Sequence, residues 1–393
     1  MFANETLSAL RLGLATQWAQ PRHVLLIAAG FAIAALTLTT LLSIPAGLDR
    51  LGAATGRDDI ALVLDATASD ETSSTIAPDL AALVGTLAGI ARDASGKPAV
   101  AAQFIAMAKL KRKDGSPASV LLRGIDAATW SMLGNSVHVD KGTTFKSGVD
   151  ELIAGASAAR AFVALDAGDQ IKVRDSVWRV SGQFTAPGLW ESELWTDIAP
   201  LEAAFNASGR ISELWVRLES ADAFDTFATA LKTDKRLAGV RAERQRTHYG
   251  ERTSFLSHFV RIAAIAIGAT LGLGAVLAIA NSLAMALAAR RKQLAVLRAI
   301  GFRSRCLFVA LAIEVLMIAV LVTVLVLLGA RLGLHGMQVG SSTGDQSISF
   351  TLEVTSAVAQ WTLAYAMILA LASAWWPARR ALHTQLVVAL REE

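Results

Sequence analysis

The sequence predicts a membrane protein of four transmembrane α-helices, with a large α+β extracytoplasmic domain inserted between the first and second spans. Three observations predict it. The 393 residues are 53% hydrophobic and only 18% charged, with a mean hydropathy of +0.46, too apolar for an ordinary soluble protein. The apolar excess is gathered into four runs, 24–44, 262–289, 307–330 and 354–376. Each is long enough, at about 1.5 Å per residue, to cross roughly 30 Å of hydrocarbon. Between the first two runs, residues 47–254 are polar and mixed, with no stretch able to span a bilayer.

Each element follows in order. Within 1–22, Leu7, Leu10, Leu14 and Trp18 recur at helical spacing opposite Asn4, Ser8 and Arg11, which suits a cytoplasmic helix lying in the interface. Pro21 ends it. The first span, 23–46, reads as an uncleaved anchor, because its apolar core is longer than the roughly 7–15 residues of a signal peptide. Inside the 47–254 domain, 59–65, 103–113, 118–124 and 211–218 look extended, and 76–94 and 221–231 look helical. Segments 170–173 and 177–184 flank Arg174-Asp175-Ser176 as a hairpin. Residues 241–259 run without Pro into the second span, so one helix is expected to project from the membrane, with 255–289 as stalk end and span. A basic amphipathic segment, 290–305, then precedes the third span, 306–330, an external loop, 331–353, the fourth span, 354–376, and a tail, 377–393.

Orientation follows from the basic residues beside the spans. Arg11 and Arg22, the six basic residues of 290–305, and Arg379, Arg380 and Arg391 all fall on one side when four spans alternate, whereas 331–353 carries only Arg331. Both termini are therefore expected in the cytoplasm. The net charge of +4 is read as this topology signal and not as nucleic-acid binding. The single cysteine, Cys306, lies on the cytoplasmic side, so the external region holds no internal disulfide.

No Gly-rich loop with Lys and Ser or Thr is present to cradle phosphates; Gly96-Lys97 is followed by Pro98. Any ATP chemistry must come from another polypeptide, and no catalytic residue is assigned. Gly340-Ser341-Ser342-Thr343-Gly344 matches a nucleophile pattern formally but is expected to be a flexible loop between spans. The six histidines show no ligand spacing, and no metal site is expected.

The candidate coupling residues are Arg290, Arg291, Lys292, Gln293, Leu294, Leu297, Arg298, Ile300 and Gly301, on a segment too polar to cross the bilayer. Glu314 is the only charge inside a span, costing roughly 2.5–3.5 kcal/mol at the bilayer centre. It either snorkels to the interface or ties the basic segment to the bundle. Gly268 and Gly272 form a GxxxG step, a candidate subunit interface. Trp361, Trp375 and Trp376 suit interfacial anchoring. Trp190 and Trp195, beside a Pro187-Gly188 turn, are candidates for core packing or for contact with a periplasmic partner or substrate.

At these residues the chain resembles the MacB/FtsX-like family of ABC-transporter permeases, of the type VII, mechanotransmission kind. Asn281, Arg290, Leu294, Ala295, Leu297, Arg298, Ala299, Ile300 and Gly301 match the family's coupling segment. Glu314 matches its following acidic residue, and Pro377-Ala378-Arg379-Arg380-Ala381 matches its tail. Gly124, 151–155, Gly168-Asp169 and 180–182 recur in family order. Gln293 replaces an acidic residue, and Gln385-Leu386 replaces Asp-Pro.

The resemblance implies a non-catalytic subunit of the bacterial inner membrane with its large domain in the periplasm. It implies pairing with a second permease subunit, as a homodimer or heterodimer, and docking to a cytoplasmic ABC ATPase that binds the ATP and Mg. Asn281 joins Glu314 as an implied structural tie. Three roles are expected from it: efflux of a peptide, antibiotic or other amphiphile with an adaptor and outer-membrane channel, lipoprotein release, or regulation of a cell-wall hydrolase. Efflux is preferred, because the external hairpin and the Trp-bearing loop resemble the exporter branch.

Overall fold

The computed structural model describes residues 21–93, 95–289, 296, 299–300, 302–343 and 346–383. Residues 1–20 of the predicted interfacial helix at 1–22, most of the coupling segment and the end of the tail lie outside the described residues. The chain divides into two compact units: a membrane unit containing 1–46, 257–337 and 352–393, and an inserted unit containing 47–256 and 338–351.

In the membrane unit, four helices are long and apolar enough to span a bilayer. They belong to α1 (Pro21–Ala54), α7 (Gln245–Ala289), α8 (Ser304–Gly333) and α9 (Ser356–His383). Their shared core joins Phe31 of α1, Leu283 of α7, Val315 of α8 and Ala370 of α9. Small residues let these helices close on one another, as membrane helices require where lipid supplies no hydrophobic driving force. A Cβ at Gly30 would meet Ile279 at 2.9 Å. Thr39 and Thr362 share a hydroxyl hydrogen bond of 3.2 Å. Leu273, Leu277, Leu321, Leu325 and Ile368 remain exposed on outward faces, as suits contact with lipid.

The inserted unit is built on a mixed sheet with twelve strands among the described residues. β1 (Ile60–Asp65), β2 (Val100–Lys111), β3 (Pro117–Ile125), β8 (Leu194–Asp197), β9 (Glu213–Arg217) and β10 (Val240–Arg244) form its central part. Strand order there is β10-β1-β9-β2-β3-β8, continuing into β5 (Glu151–Gly155), β7 (Ser176–Thr185) and the exposed edge strand β4 (His138–Gly142). β3 and β8 run parallel, as do β5 and β7; β1, β2, β9 and β10 pair antiparallel.

The period-2 alternation of β1 sorts its side chains to two cores. Ala61 and Val63 face the layer that includes Val84 of α2 (Pro78–Val84) and Phe227 of α6 (Phe224–Thr233). Ile60, Leu62 and Leu64 face the opposite layer, where Trp190, Trp195, Trp215 and Tyr249 collect beside Met132 of α3 (Ala127–Leu133). A third cluster, with Phe104, Phe162, Trp178 and Leu201, lies under α4 (Ala156–Ala161) and α5 (Ile198–Ala204). A glycine is required at 124, because a Cβ there would lie 2.9 Å from the Ile198 backbone.

The structure amends several expectations. The helix-periodic stretch 76–94 shortens to α2, because Ile90 is drawn into a bridge with Leu218. The predicted continuous helix from 241 begins at Gln245, since Arg241 to Arg244 are taken by β10 at the edge of the sheet. The hairpin of β6 (Gln170–Val173) and β7 forms as the Arg174 turn suggested. The expected flexible loop around Gly340 is instead a second hairpin, β11 (Gln338–Thr343) with β12 (Gln346–Thr351), and β12 pairs with β3. Its ladder to the rest of the unit is the pairing of Gln346 with Ser119.

Candidate functional site

The most elaborate polar construction in the chain lies where the first turns of α7 meet the sheet of the inserted unit. Arg123 stands in the apolar run of β3 and is 0% exposed. Its guanidinium forks onto Glu193, with Nε and Nη2 donating at 2.7 and 2.9 Å. Nη1 donates to Gln103 of β2 at 2.7 Å and to Glu213 of β9 at 2.5 Å. The phenol of Tyr249, on α7, completes the circle at 3.4 Å from Nη2.

Both carboxylates are held in place by indoles two residues on. Trp195 Nε1 donates to Glu193 at 2.8 Å, and Trp215 Nε1 donates to Glu213 at 2.9 Å. Trp190 packs between them, with centroids 6.3 Å from Trp195, 5.3 Å from Trp215 and 6.0 Å from Tyr249. On either side of Tyr249 on α7, Arg252 donates to Glu71, and His248 shares a 2.8 Å hydrogen bond with Glu243 of β10.

The electrostatics follow from burial and neighbours. Burial disfavours the Arg123 cation, but Glu193 and Glu213 hold its pKa well above the ordinary value. Burial would also neutralise Glu71, yet Arg252 and then His248 keep its pKa below the ordinary carboxylate value. Glu213 goes the other way: burial pushes it up to about 7, with Glu71 adding to the shift and Arg123 opposing it. Burial raises the Tyr249 phenol well above its usual value. Such a network fixes geometry because each member satisfies another in a low-dielectric interior.

Neighbouring contacts hold the helix ends of this unit together. A Cβ at Gly52 of α1 would lie 1.9 Å from Thr253 Oγ1 of α7, so only glycine permits the approach. Arg57 N–H donates to the Gln245 side chain at 3.0 Å, and Arg246 pairs with Asp58 at 2.9 Å.

Of the residues singled out by sequence, Trp190 and Trp195 are 1% and 0% exposed, which corrects the reading of them as a partner contact. The reason is local: Gly188 takes a φ of +74°, and the Leu189 N–H donates to Thr55 at 2.8 Å, tucking the loop inward. Gly268 and Gly272 make their close approaches within the chain, against Leu38 and Tyr365, and Tyr365 donates to the Gly268 carbonyl at 2.8 Å. Both glycines thus serve packing between helices of the same chain. Asn281 is exposed and has no hydrogen bond among the described residues. Glu314 is buried at 5% exposure, with His23, Leu283 and Leu311 lining a cavity of about 30 Å³ beside it.

Arg290, Arg291, Lys292, Gln293, Leu294, Leu297, Arg298 and Gly301 lie outside the described residues. Ile300 is described; its N–H donates to the Val296 carbonyl at 3.0 Å, and its side chain is 71% exposed. Among the described residues no group of three His, Cys, Asp or Glu is placed to hold a metal.

Sequence reasoning missed Arg123 and its partners, although a signal was present. The tetrapeptide Ser-Glu-Leu-Trp occurs twice, at 192–195 and 212–215, and each copy supplies one carboxylate with its indole. An arginine inside Val120-Leu121-Leu122-Arg123-Gly124-Ile125 needs such a partner, because an unpaired buried charge is too costly to keep.

Residues 265–386 match the family model described as FtsX-like permease C-terminal. No curated protein matches the chain. Among solved structures, the periplasmic region of MacB from Actinobacillus actinomycetemcomitans is similar at 15% identity, over 49% of this chain and 92% of that one, with a TM-score of 0.37. The extracellular domain of the noncanonic ABC-type transporter YknZ from Gram-positive bacteria is similar at 16% identity, over 47% of this chain and 99% of that one, with a TM-score of 0.34.

Proposed function

We propose, from the match of residues 265–386 to the FtsX-like permease C-terminal family model, that the chain is the permease subunit of an ABC transporter that relays ATP-driven motion to its inserted domain. It sits in the bacterial inner membrane with both termini in the cytoplasm and the inserted domain in the periplasm. A cytoplasmic ABC ATPase docks on 290–305 and supplies ATP, Mg and hydrolysis. A second permease subunit pairs with the spans, and the system expels a peptide, antibiotic or other amphiphile with an adaptor and outer-membrane channel.

The observation that supports this reading is α7. It is one helix of 45 residues, roughly 67 Å at 1.5 Å per residue. Its first turns carry Tyr249 and Arg252 of the buried network, and it ends at Ala289, one residue before the coupling segment. A helix transmits displacement along its axis because every turn is tied by backbone hydrogen bonds. The cargo class rests on the resemblance of the external hairpin and Trp-bearing loop to exporters.

The test is affinity capture of the full chain from its native membrane. An ABC ATPase together with a periplasmic adaptor is expected. Capture of a lipoprotein or a cell-wall hydrolase in place of the adaptor would overturn the efflux assignment, and absence of any ATPase would overturn the permease reading.

A further inference from the structure

The inserted unit buries more negative than positive charge, and the imbalance sits at the root of α7. Among the described residues, Glu71, Glu193 and Glu213 are all buried, and the guanidiniums that meet them are those of Arg123 and Arg252. Arg123 with Glu193 and Arg252 with Glu71 make two balanced pairs. Glu213 is the third carboxylate.

One of its oxygens faces Arg123 and the Trp215 indole, while the other, Oε2, is buried with no hydrogen-bond partner. Glu71 Oε1 and His248 Nε2 are likewise buried without a hydrogen bond, and His248 Nε2 faces Glu71 Oε2 at 3.6 Å, within ion-pair range. Of the surrounding groups, His248 opposes the excess but does not cancel it. Arg241 is paired with Glu243, which also engages His248 Nδ1, and Asp70 adds a further negative charge near Arg252. Tyr249 is a neutral phenol at this position, and Gln103 carries no charge. An excess carboxylate with no cation of its own in an apolar interior is relieved by taking up a proton.

We propose that this cluster is a proton-binding site, with one exchangeable proton on Glu213 Oε2 that keeps the root of α7 clamped to the sheet. With the proton in place, the two guanidiniums face two carboxylates and the interior is balanced. When it leaves to solvent, the new charge on β9 is repelled by Glu71, whose partner Arg252 is part of α7, and it competes with Glu193 for Arg123. The contacts that hold the first turns of α7 therefore weaken together. Burial and the neighbouring Glu71, which push Glu213 up to about 7, put the change within reach of ordinary pH. The site is a property of the inserted unit whatever cargo the protein serves, so its failure would leave the permease reading standing.

The test uses the full chain in lipid nanodiscs, titrated from about pH 5 to about pH 9. Three readouts apply: tryptophan emission, amide exchange at 245–256 corrected for intrinsic rates, and the infrared carbonyl stretch of protonated carboxyl groups. In the wild type, emission should shift with a midpoint of about 7, because Trp215 donates to Glu213. Protection at 245–256 should fall roughly tenfold across the same range. Glu213→Gln, neutral at every pH and still able to accept from Trp215, should hold the acid-form spectrum and protection throughout. A wild type with no transition, or a transition that persists unchanged in Glu213→Gln, overturns the proposal. The infrared band needs no variant: a buried protonated carboxyl must be present in the wild type at low pH and vanish through the transition, and its absence overturns the proposal too.

Discussion

Replacing Arg123 by Met tests whether the network holds the inserted unit together or merely decorates it. The substitution keeps most of the apolar stem but removes the cation that faces Glu193 at 2.7 and 2.9 Å and Glu213 at 2.5 Å. Two buried carboxylates and the Gln103 amide oxygen then lose the guanidinium, and the carboxylates keep only their indole donors. Breaking a buried ion pair by removing one partner costs about 3–5 kcal/mol, a large share of the 5–15 kcal/mol by which domains are stable. For a unit of this size that corresponds to a fall in Tm of roughly 6–20 °C. The assay is thermal melting of the full chain in detergent, followed by near-ultraviolet circular dichroism, to which Trp195 and Trp215 contribute among the nine tryptophans. Arg123→Lys should lose less, because the charge remains while the fork onto Glu193 does not. The triple variant Arg123→Met, Glu193→Gln, Glu213→Gln should recover most of the loss, since no unpaired charge is left. A single Arg123→Met protein that melts within about 2 °C of wild type would refute the reasoning.

Other outcomes follow from the same geometry. Stability of the inserted unit should peak near pH 4.5 and fall on both sides of it. Glu213 is raised in the fold, so its share, about 3 kcal/mol, is whole below pH 4.5 and lost as pH rises through about 7. Glu71 is lowered, so its share is present above pH 4.5 and lost as pH falls; melting in a pH series checks both limbs, and Glu213→Gln should flatten only the alkaline one. Gly272→Val should destabilise the membrane unit by about 1–3 kcal/mol, because a Cβ there already meets Tyr365 at 2.7 Å. Gly274→Val, with nothing within 4 Å, should leave detergent melting unchanged, and equal effects at the two sites would count against the packing described. Leu297→Asp with Ile300→Asp should abolish capture of the ATPase while leaving insertion intact, since Ile300 is 71% exposed; unchanged capture would remove the coupling assignment.

Much of the fold was legible because the strongest signals are local. An apolar run such as 307–330 has no alternative to a membrane helix, and the alternation of β1 or the Arg174 turn fixes strand and hairpin within a few residues. The β11–β12 hairpin was not legible, because Gly340 and its serines have loop composition and become strand only by pairing. The same holds for Gly268 and Gly272: the spacing announces a close approach but not whose helix fills it, and here Leu38 and Tyr365 do. The candidate site was hidden for a related reason. Arg123, Glu193, Glu213 and Tyr249 are far apart in sequence and meet only through strand order, and a buried ion network has no periodicity. The repeated Ser-Glu-Leu-Trp was its one visible trace.

The relay along α7 is tested most directly by amide exchange of the full chain, reconstituted in nanodiscs with its ATPase and trapped with ATP. If motion passes from the coupling segment to the inserted unit, protection at 245–256 should change on trapping, and Ile300→Asp with Leu297→Asp should abolish that change. Exchange at 245–256 that is identical with and without trapped ATP, while the ATPase stays bound, would contradict the account.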